Sequence, residues 1–264
     1  MAGSVAAALR DVAGTEEGRE ILAVGAGGDP TALVDQVAED AVVASCERLA
    51  AVGMRFRLRS EELGERRYGA DLPLLVVDPV DGSRNAMQGI PFYSTSLALL
   101  DGERLGDVVA GVVRNLAGPG TFSAVRGGGA QRDGRALRSL TVRLTGEGRM
   151  PMLILEGHGD VGPPRERVTE LLRSAHRVRL LGSTALSLCQ VASGAASVMV
   201  TRGGMRAWDC AAALCLLREA GAVVTDLQGA SVDGMPADFG HTTSLVTSLD
   251  ADVHARVLQI LAGS

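Results

Sequence analysis

The chain contains no lysine: every one of its 26 basic residues is arginine. That excludes a Schiff-base lysine and the lysine of a phosphate-binding P-loop. Any recognition of an anion must come from arginine, helix N-termini or metal. Aromatic residues make up 3%, there is no basic tract, and the formal net charge is −5, so nucleic acid is not an expected partner. No apolar run approaches the ~20 residues of a membrane-spanning helix, and the N-terminus shows no basic-then-apolar leader pattern. The four cysteines, Cys46, Cys189, Cys210 and Cys215, sit in apolar segments without metal-type spacing and read as buried free thiols. A cytoplasmic location in a reducing compartment, away from membranes, is the expectation.

What is present is 264 residues, 46% hydrophobic, enough for one large domain or two lobes sharing an interface. The periodicity predicts a helix over Val5–Val24, a glycine-rich break at Gly25–Pro30, and a second helix capped by Thr31 and running to about Ala51. Strands are expected at Met54–Leu58, from Leu74, and at Tyr93–Leu100, Asp107–Val113 and Thr121–Val125. The last three form an antiparallel meander ending in a tight turn at Gly127–Gly129. Beyond about Leu140 strands and helices alternate, through helices at Pro164–Ser174, Ser183–Ala192, Asp209–Ala220 and Ala251–Leu261. This predicts two lobes packed as one unit, residues 1–140 mostly antiparallel α+β and residues 141–264 of βα type.

The most informative segment is LLVVDPVDGSRN, Leu74 to Asn85. Four apolar residues make a buried strand, and Asp78 and Asp81 follow it three apart. Two carboxylates so placed repel, and a hard cation such as Mg²⁺ relieves the repulsion. Gly82 and Ser83 offer backbone N–H groups and a hydroxyl that suit a phosphate. Asp, Pro and Gly are also ordinary turn residues, so the segment alone is equally a strand followed by a turn. Other acids show the same ambiguity. Glu61 and Glu62 end the preceding strand and read as a solvated turn or as part of an acid cluster. Asp209, after the only tryptophan, Trp208, reads as a helix cap or as a further metal carboxylate at a helix N-terminus. Asp35 by itself reads as a surface charge on the second helix.

Taken together, SEE at Ser60–Glu62, DPVDGSRN at Asp78–Asn85, GIPFYSTSLAL at Gly89–Leu99, RLLGSTALSLCQVASG at Arg179–Gly194 and WDCAAALCLLREAGAVVTD at Trp208–Asp226 resemble the inositol monophosphatase family. The stretch PTALVDQVAED and the arginines before Asp209 look most like its archaeal-type branch, which acts on both fructose 1,6-bisphosphate and inositol 1-phosphate. The resemblance implies a layered αβαβα sandwich, a homodimer, and hydrolysis of a small phosphorylated metabolite with two or three Mg²⁺, with Mn²⁺ as a substitute and Li⁺ as an inhibitor. It implies that Glu61, Asp78, Asp81, Asp209 and the Val80 carbonyl hold metal. Asp35 and Ser83 would orient the attacking water, Gly82 and Ser83 would cradle phosphate, and Glu62 would act from behind the ligands.

Substrate choice is left to arginines. Arg202 stands seven residues before Asp209, where inositol-specific members carry a glutamate that binds inositol hydroxyls. A guanidinium there favours a second anionic group. Arg206 and Arg179 could share that wall. Arg84 departs from the family pattern beside the cradle, and Ala32 replaces a lysine that relatives carry after PT. The rival substrates are 3′-phosphoadenosine 5′-phosphate, histidinol phosphate and other sugar or cyclitol phosphates. A non-catalytic relative is a further alternative, and the glycines of VGAGGD, Val24 to Asp29, admit a weak dinucleotide-binding reading that lacks the third glycine.

Overall fold

A computed structural model of the chain describes residues 1–137, 143–157 and 162–263. The first half contains α1 (Ala2–Ala8), β1 (Ile21–Val24), β2 (Pro30–Ala32), α2 (Leu33–Ala51), β3 (Phe56–Ser60), β4 (Gly64–Asp81), α3 (Ser83–Gln88), β5 (Ser94–Leu100), β6 (Val108–Asn115), β7 (Thr121–Val125), β8 (Ala130–Arg132) and β9 (Arg135–Ala136). The second contains β10 (Met150–Glu156), α4 (Arg165–Arg173), β11 (Ala175–Arg179), α5 (Thr184–Ala192), β12 (Val198–Thr201), α6 (Ala207–Glu219), β13 (Val223–Thr225), β14 (Val246–Ser248) and α7 (Ala251–Ala262). The change of rhythm expected near Leu140 lies outside the described residues.

Strands β3 to β9 form a seven-stranded sheet in chain order, and β11-β10-β12-β14-β13 form a five-stranded one. Alternation along β4 shows how the layers arise. Leu74 and Val76 face one apolar cluster with α5, α6 and the second sheet's Ile154 and Met199. Val77 faces another with Val5 of α1 and Val34 and Val42 of α2. A third cluster joins Leu153 and Val200 of the second sheet to Leu171 of α4 and Val253 of α7. The layers are therefore helix, sheet, helix, sheet, helix. The middle helix α6 is buried from Cys210 to Leu217, as a helix apolar on every face must be.

Gly111 on β6 lets α6 lie directly on the first sheet. A Cβ there would stand 2.9 Å from the carbonyl carbon of Ala212, and closer to its oxygen. Gly111→Ala should therefore destabilise the protein by about 1–3 kcal/mol, the usual cost of overpacking a core. Thermal denaturation should show a midpoint several degrees lower. An unchanged midpoint would mean that helix and sheet separate without cost.

Some expectations are corrected. The helix expected over Val5–Val24 stops at Ala8, and Ile21–Val24 is an exposed strand paired with β2. Gly14, with φ +80 and packed on Gly89, breaks the helix whatever the alanine content favours. The strand placed at Met54–Leu58 runs from Phe56 to Ser60. Thr31 does not cap α2. It lies in β2, its hydroxyl donates to Glu62, and Ala32 takes the cap position with the Asp35 carboxylate accepting its N–H. The second sheet is parallel only across β11, β10 and β12, because β14 runs antiparallel to both β12 and β13.

Candidate active site

The acids meet because of strand register. β3 lies between the two halves of β4. It pairs antiparallel with Glu65–Arg67 and parallel with Leu74–Val77, the last pair being Ser60 with Val77. The next residues, Glu61 and Asp78, therefore stand side by side, and the Glu61 N–H donates to the Val77 carbonyl at 3.2 Å. Along the other edge of β4, Asp78 pairs with Ser96 and Asp81 with Ser94, so three steps on one strand match two on its neighbour. That extra residue is a β-bulge. In a regular strand residues three apart point to opposite faces, and the bulge brings Asp78 and Asp81 back to one face. Pro79, which has no N–H to give a ladder, occupies the bulge. Gly82 then turns the chain at φ +91 into α3.

Three helix starts supply the rest. Asp209 is the third residue of α6 and not its N-cap, which is Arg206; one of its oxygens accepts the Arg206 N–H at 2.7 Å, so it ties down the helix start and joins the cluster. At the start of α5, Asp81 accepts the N–H groups of Thr184 at 2.9 Å and Ala185 at 2.8 Å, and the hydroxyls of Ser94 and Ser183. Asp35 in the first turn of α2 is 2% exposed, so it is no surface charge. Ser83 lies within reach of Asp35, and its hydroxyl donates to the Val80 carbonyl at 2.9 Å.

Electrostatics shows how close these groups are. Burial pushes the Asp78 carboxyl well above its ordinary range, and Glu61, Asp81 and Asp209 push it further. Glu61 is raised by burial, then by Asp209 and Glu62, while sharing a hydrogen bond with Asp78. Asp209 is pushed up to about 7 by burial against the pull of the Arg206 N–H. Glu62 rises to about 7, chiefly through burial, with Thr31 holding it down and Asp35, Glu39 and Asp29 adding repulsion. The SEE turn is thus not a solvated surface. The Arg206 guanidinium draws the Asp209 carboxyl down, but it is already committed, donating to the Phe239 carbonyl at 2.8 Å and lying over the Trp208 ring.

The donor set consists of carboxylate and carbonyl oxygens, the chemistry that suits Mg²⁺ or Mn²⁺. One buried oxygen each of Asp35 and Asp78 has no hydrogen-bond partner. Among the described residues no three side chains already stand in a geometry that would hold a metal ion. The fit therefore rests on donor type, burial and these two unpaired oxygens, and Glu61, Asp78, Asp81, Asp209 and the Val80 carbonyl could hold the ion.

The glycines of VGAGGD cover this cluster. The N–H groups of Ala26 and Gly27 donate to the carbonyls of Glu62 and Glu61, and a Cβ on Gly27 would stand 3.1 Å from the Glu61 side chain and 3.3 Å from the Trp208 ring. The loop needs glycine for close approach to acids.

The arginines are dispersed. Arg84 is exposed, and Arg179 lies exposed on the edge strand β11, bonded to its own strand's Val178 carbonyl. Arg202 is half-buried, its backbone N–H bonded to the Glu156 carbonyl. It lines a recess of about 530 Å³ with Gly203, Gly204, Gln228, Thr243 and Ser244. Sequence reasoning missed Glu39, one turn after Asp35 on the same helix face, where helical spacing signals it. Glu39 is 3% exposed and accepts the Ser60 hydroxyl. It also missed Ser94 and Ser183, which lie inside the GIPFYSTSLAL and RLLGSTALSLCQVASG blocks, and Glu156, an acid closing an apolar strand.

A model of the inositol monophosphatase family matches residues 2–262. The fructose-1,6-bisphosphatase/inositol-1-monophosphatase of Methanothermobacter thermautotrophicus is 35% identical over 99% of this chain and 94% of its own length. The bifunctional NADP phosphatase/NAD kinase of Methanococcus maripaludis is 31% identical over 91% of this chain, which spans 44% of that larger protein. A solved structure from Pyrococcus horikoshii, described as a hypothetical protein with similarities for inositol-1 monophosphatase, superposes with a TM-score of 0.79 at 25% identity, covering 98% of this chain and 94% of that one.

Proposed function

The chain belongs to the inositol monophosphatase family and is a phosphatase; from that premise we propose that it hydrolyses a small sugar or cyclitol phosphate, fructose 1,6-bisphosphate or inositol 1-phosphate, with Mg²⁺. The observation that carries this reading is the convergence of four acids, Asp78 and Asp81 buried and Glu61 and Asp209 half-buried beside them. Acids so placed are stable as anions only around a cation.

Glu61, Asp78, Asp81, Asp209 and the Val80 carbonyl would hold the metal. When bound, it neutralises a phosphate dianion and lowers the pKa of water. The protein's own part is positioning. Asp35 has an unpaired oxygen free to accept a hydrogen bond from the attacking water, and Ser83 lies beside it. Gly82 and Ser83 offer backbone N–H groups to the phosphate, and the loop of Gly25 and Gly27 shields the acids from bulk water. Mn²⁺ is expected to replace Mg²⁺, Li⁺ to inhibit, and the protein to be a cytoplasmic homodimer.

Phosphate release from a panel of monoesters decides the substrate. The panel includes fructose 1,6-bisphosphate, inositol 1-phosphate, 3′-phosphoadenosine 5′-phosphate and histidinol phosphate, with NADP added because a relative bears that activity in its name. Release that requires Mg²⁺ is expected from at least one of the first two. Metal-independent release, or none from any member, would sink the reading. Arg202→Ala should raise the KM for the bisphosphate by about tenfold or more, the scale of a lost charge-assisted hydrogen bond, and leave inositol 1-phosphate within about twofold. Equal KM changes for both would remove Arg202 from substrate choice.

A further inference from the structure

Glu156 ends β10 and is 6% exposed, yet it has no cationic partner among the described residues. Its carboxylate is instead filled by three donors from one stretch of chain. One oxygen accepts the Leu181 N–H at 3.0 Å and the Ser187 hydroxyl at 2.7 Å, and both oxygens receive the Gly182 N–H, at 3.2 and 3.1 Å. The same loop is held from the opposite side. The Asn85 amide donates to the Leu181 carbonyl at 2.7 Å, and its backbone lies so close to the DPVDGS turn that a Cβ on Gly82 would stand 2.7 Å from the Gly182 carbonyl oxygen. The residues that follow, Ser183, Thr184 and Ala185, supply three of the four donors to Asp81, the fourth being Ser94.

We propose that Glu156 is a positioning residue for the metal carboxylate Asp81, acting through the Leu181–Ala185 loop; this rests on the metal reading given under "Proposed function". The carboxylate gathers the first N–H groups of the loop, and that fixes where the next three donors meet Asp81. A carboxylate suits the task because it accepts on both oxygens and donates nothing. Glutamine keeps one acceptor and places an NH₂ group against a loop N–H. The loop must then shift, and Asp81 with it. Loss of a group that orients a metal ligand typically weakens metal binding by about 10- to 100-fold.

The test is Mn²⁺ binding to the full chain, followed by electron paramagnetic resonance, with thermal unfolding of the metal-free protein alongside. Glu156→Gln is expected to raise the Mn²⁺ dissociation constant about tenfold or more. Glu156→Asp, which keeps the charge and withdraws it by one methylene, is expected to fold and to lose several-fold. A lower unfolding midpoint with an unchanged Mn²⁺ dissociation constant in either variant would reduce Glu156 to a structural acid and overturn the proposal. The readout is independent of catalysis. A wild-type protein that binds Mn²⁺ and releases no phosphate would refute the proposed activity and leave the positioning role standing.

Discussion

Asp78→Asn is expected to abolish Mg²⁺-dependent phosphate release, by about a thousandfold or more, while leaving the fold intact. Asp78 is 2% exposed, beside the end of β3, with Glu61, Asp81 and Asp209 around it and one oxygen unpaired. Asparagine has the same shape and keeps one acceptor, so the packing survives. What goes is a full negative charge facing the cation, worth several kcal/mol of transition-state stabilisation at 1.36 kcal/mol per tenfold in rate. The metal-free stability should move the other way. The folded Asp78 carboxyl is raised above its unfolded value by burial and by its neighbours, so its charge opposes folding at neutral pH. The metal-free unfolding midpoint should therefore hold or rise. Ser83→Ala should cost less activity, because the acids remain. Retained activity in Asp78→Asn, or a collapsed midpoint without metal, would show that Asp78 serves the fold rather than the chemistry.

Gly82→Ala should cost about a hundredfold in kcat/KM. The backbone there has φ +91, a left-handed conformation that costs an alanine about 1–2 kcal/mol. The added methyl would also stand 2.7 Å from the Gly182 carbonyl oxygen and 3.2 Å from the Ser183 side chain. Neither neighbour is the yielding end of a long side chain. One is backbone, and the other is bonded to Asp81. The turn and the loop must part, and displacements of about 1 Å at a positioned site cost on the order of a hundredfold. Steady-state kinetics with saturating Mg²⁺ checks this. Activity within tenfold of wild type would mean that the contact between the turn and the loop does not set the geometry of Asp81.

The DPVDGSRN block and the aspartate after Trp208 were legible because their chemistry is local: acids after an apolar strand, a glycine and a serine after the acids, an aspartate before an apolar helix; the Gly89–Leu99 and Arg179–Gly194 blocks were legible only as a family resemblance. The apolar runs likewise announced α5, α6 and the second half of β4 from Leu74, while its first half, from Gly64, carried no such signal. Alanine content misled at the N-terminus, where helix propensity over Val5–Val24 lost to a glycine break and to strand pairing of Ile21–Val24. Thr31 looked like a cap because caps are recognised by residue type. Its hydroxyl was taken by Glu62, a partner 31 residues away that no local rule could supply.

The sequence by itself determined which side-chain chemistries are available and, through the absence of lysine, which are not, since residue type needs no coordinates. It also determined the strand ends from which the acids project, through apolar alternation. Only the tertiary structure decided that the acids share one buried site. That follows from the parallel register of Ser60 with Val77 and from the bulge between Asp78 and Asp81. It follows equally from three helix starts arriving at the same sheet edge. These are pairings between distant segments, fixed by packing and by hydrogen-bond satisfaction, and neither is written in any single stretch of chain. The same cause separates the arginines. The sequence put Arg202 first, by its place seven residues before Asp209, with Arg179 and Arg206 as possible partners. Packing left Arg179 on an exposed edge, tied Arg206 to Phe239 and Trp208, and set Arg202, half-buried, on a recess that none of the clustered acids lines.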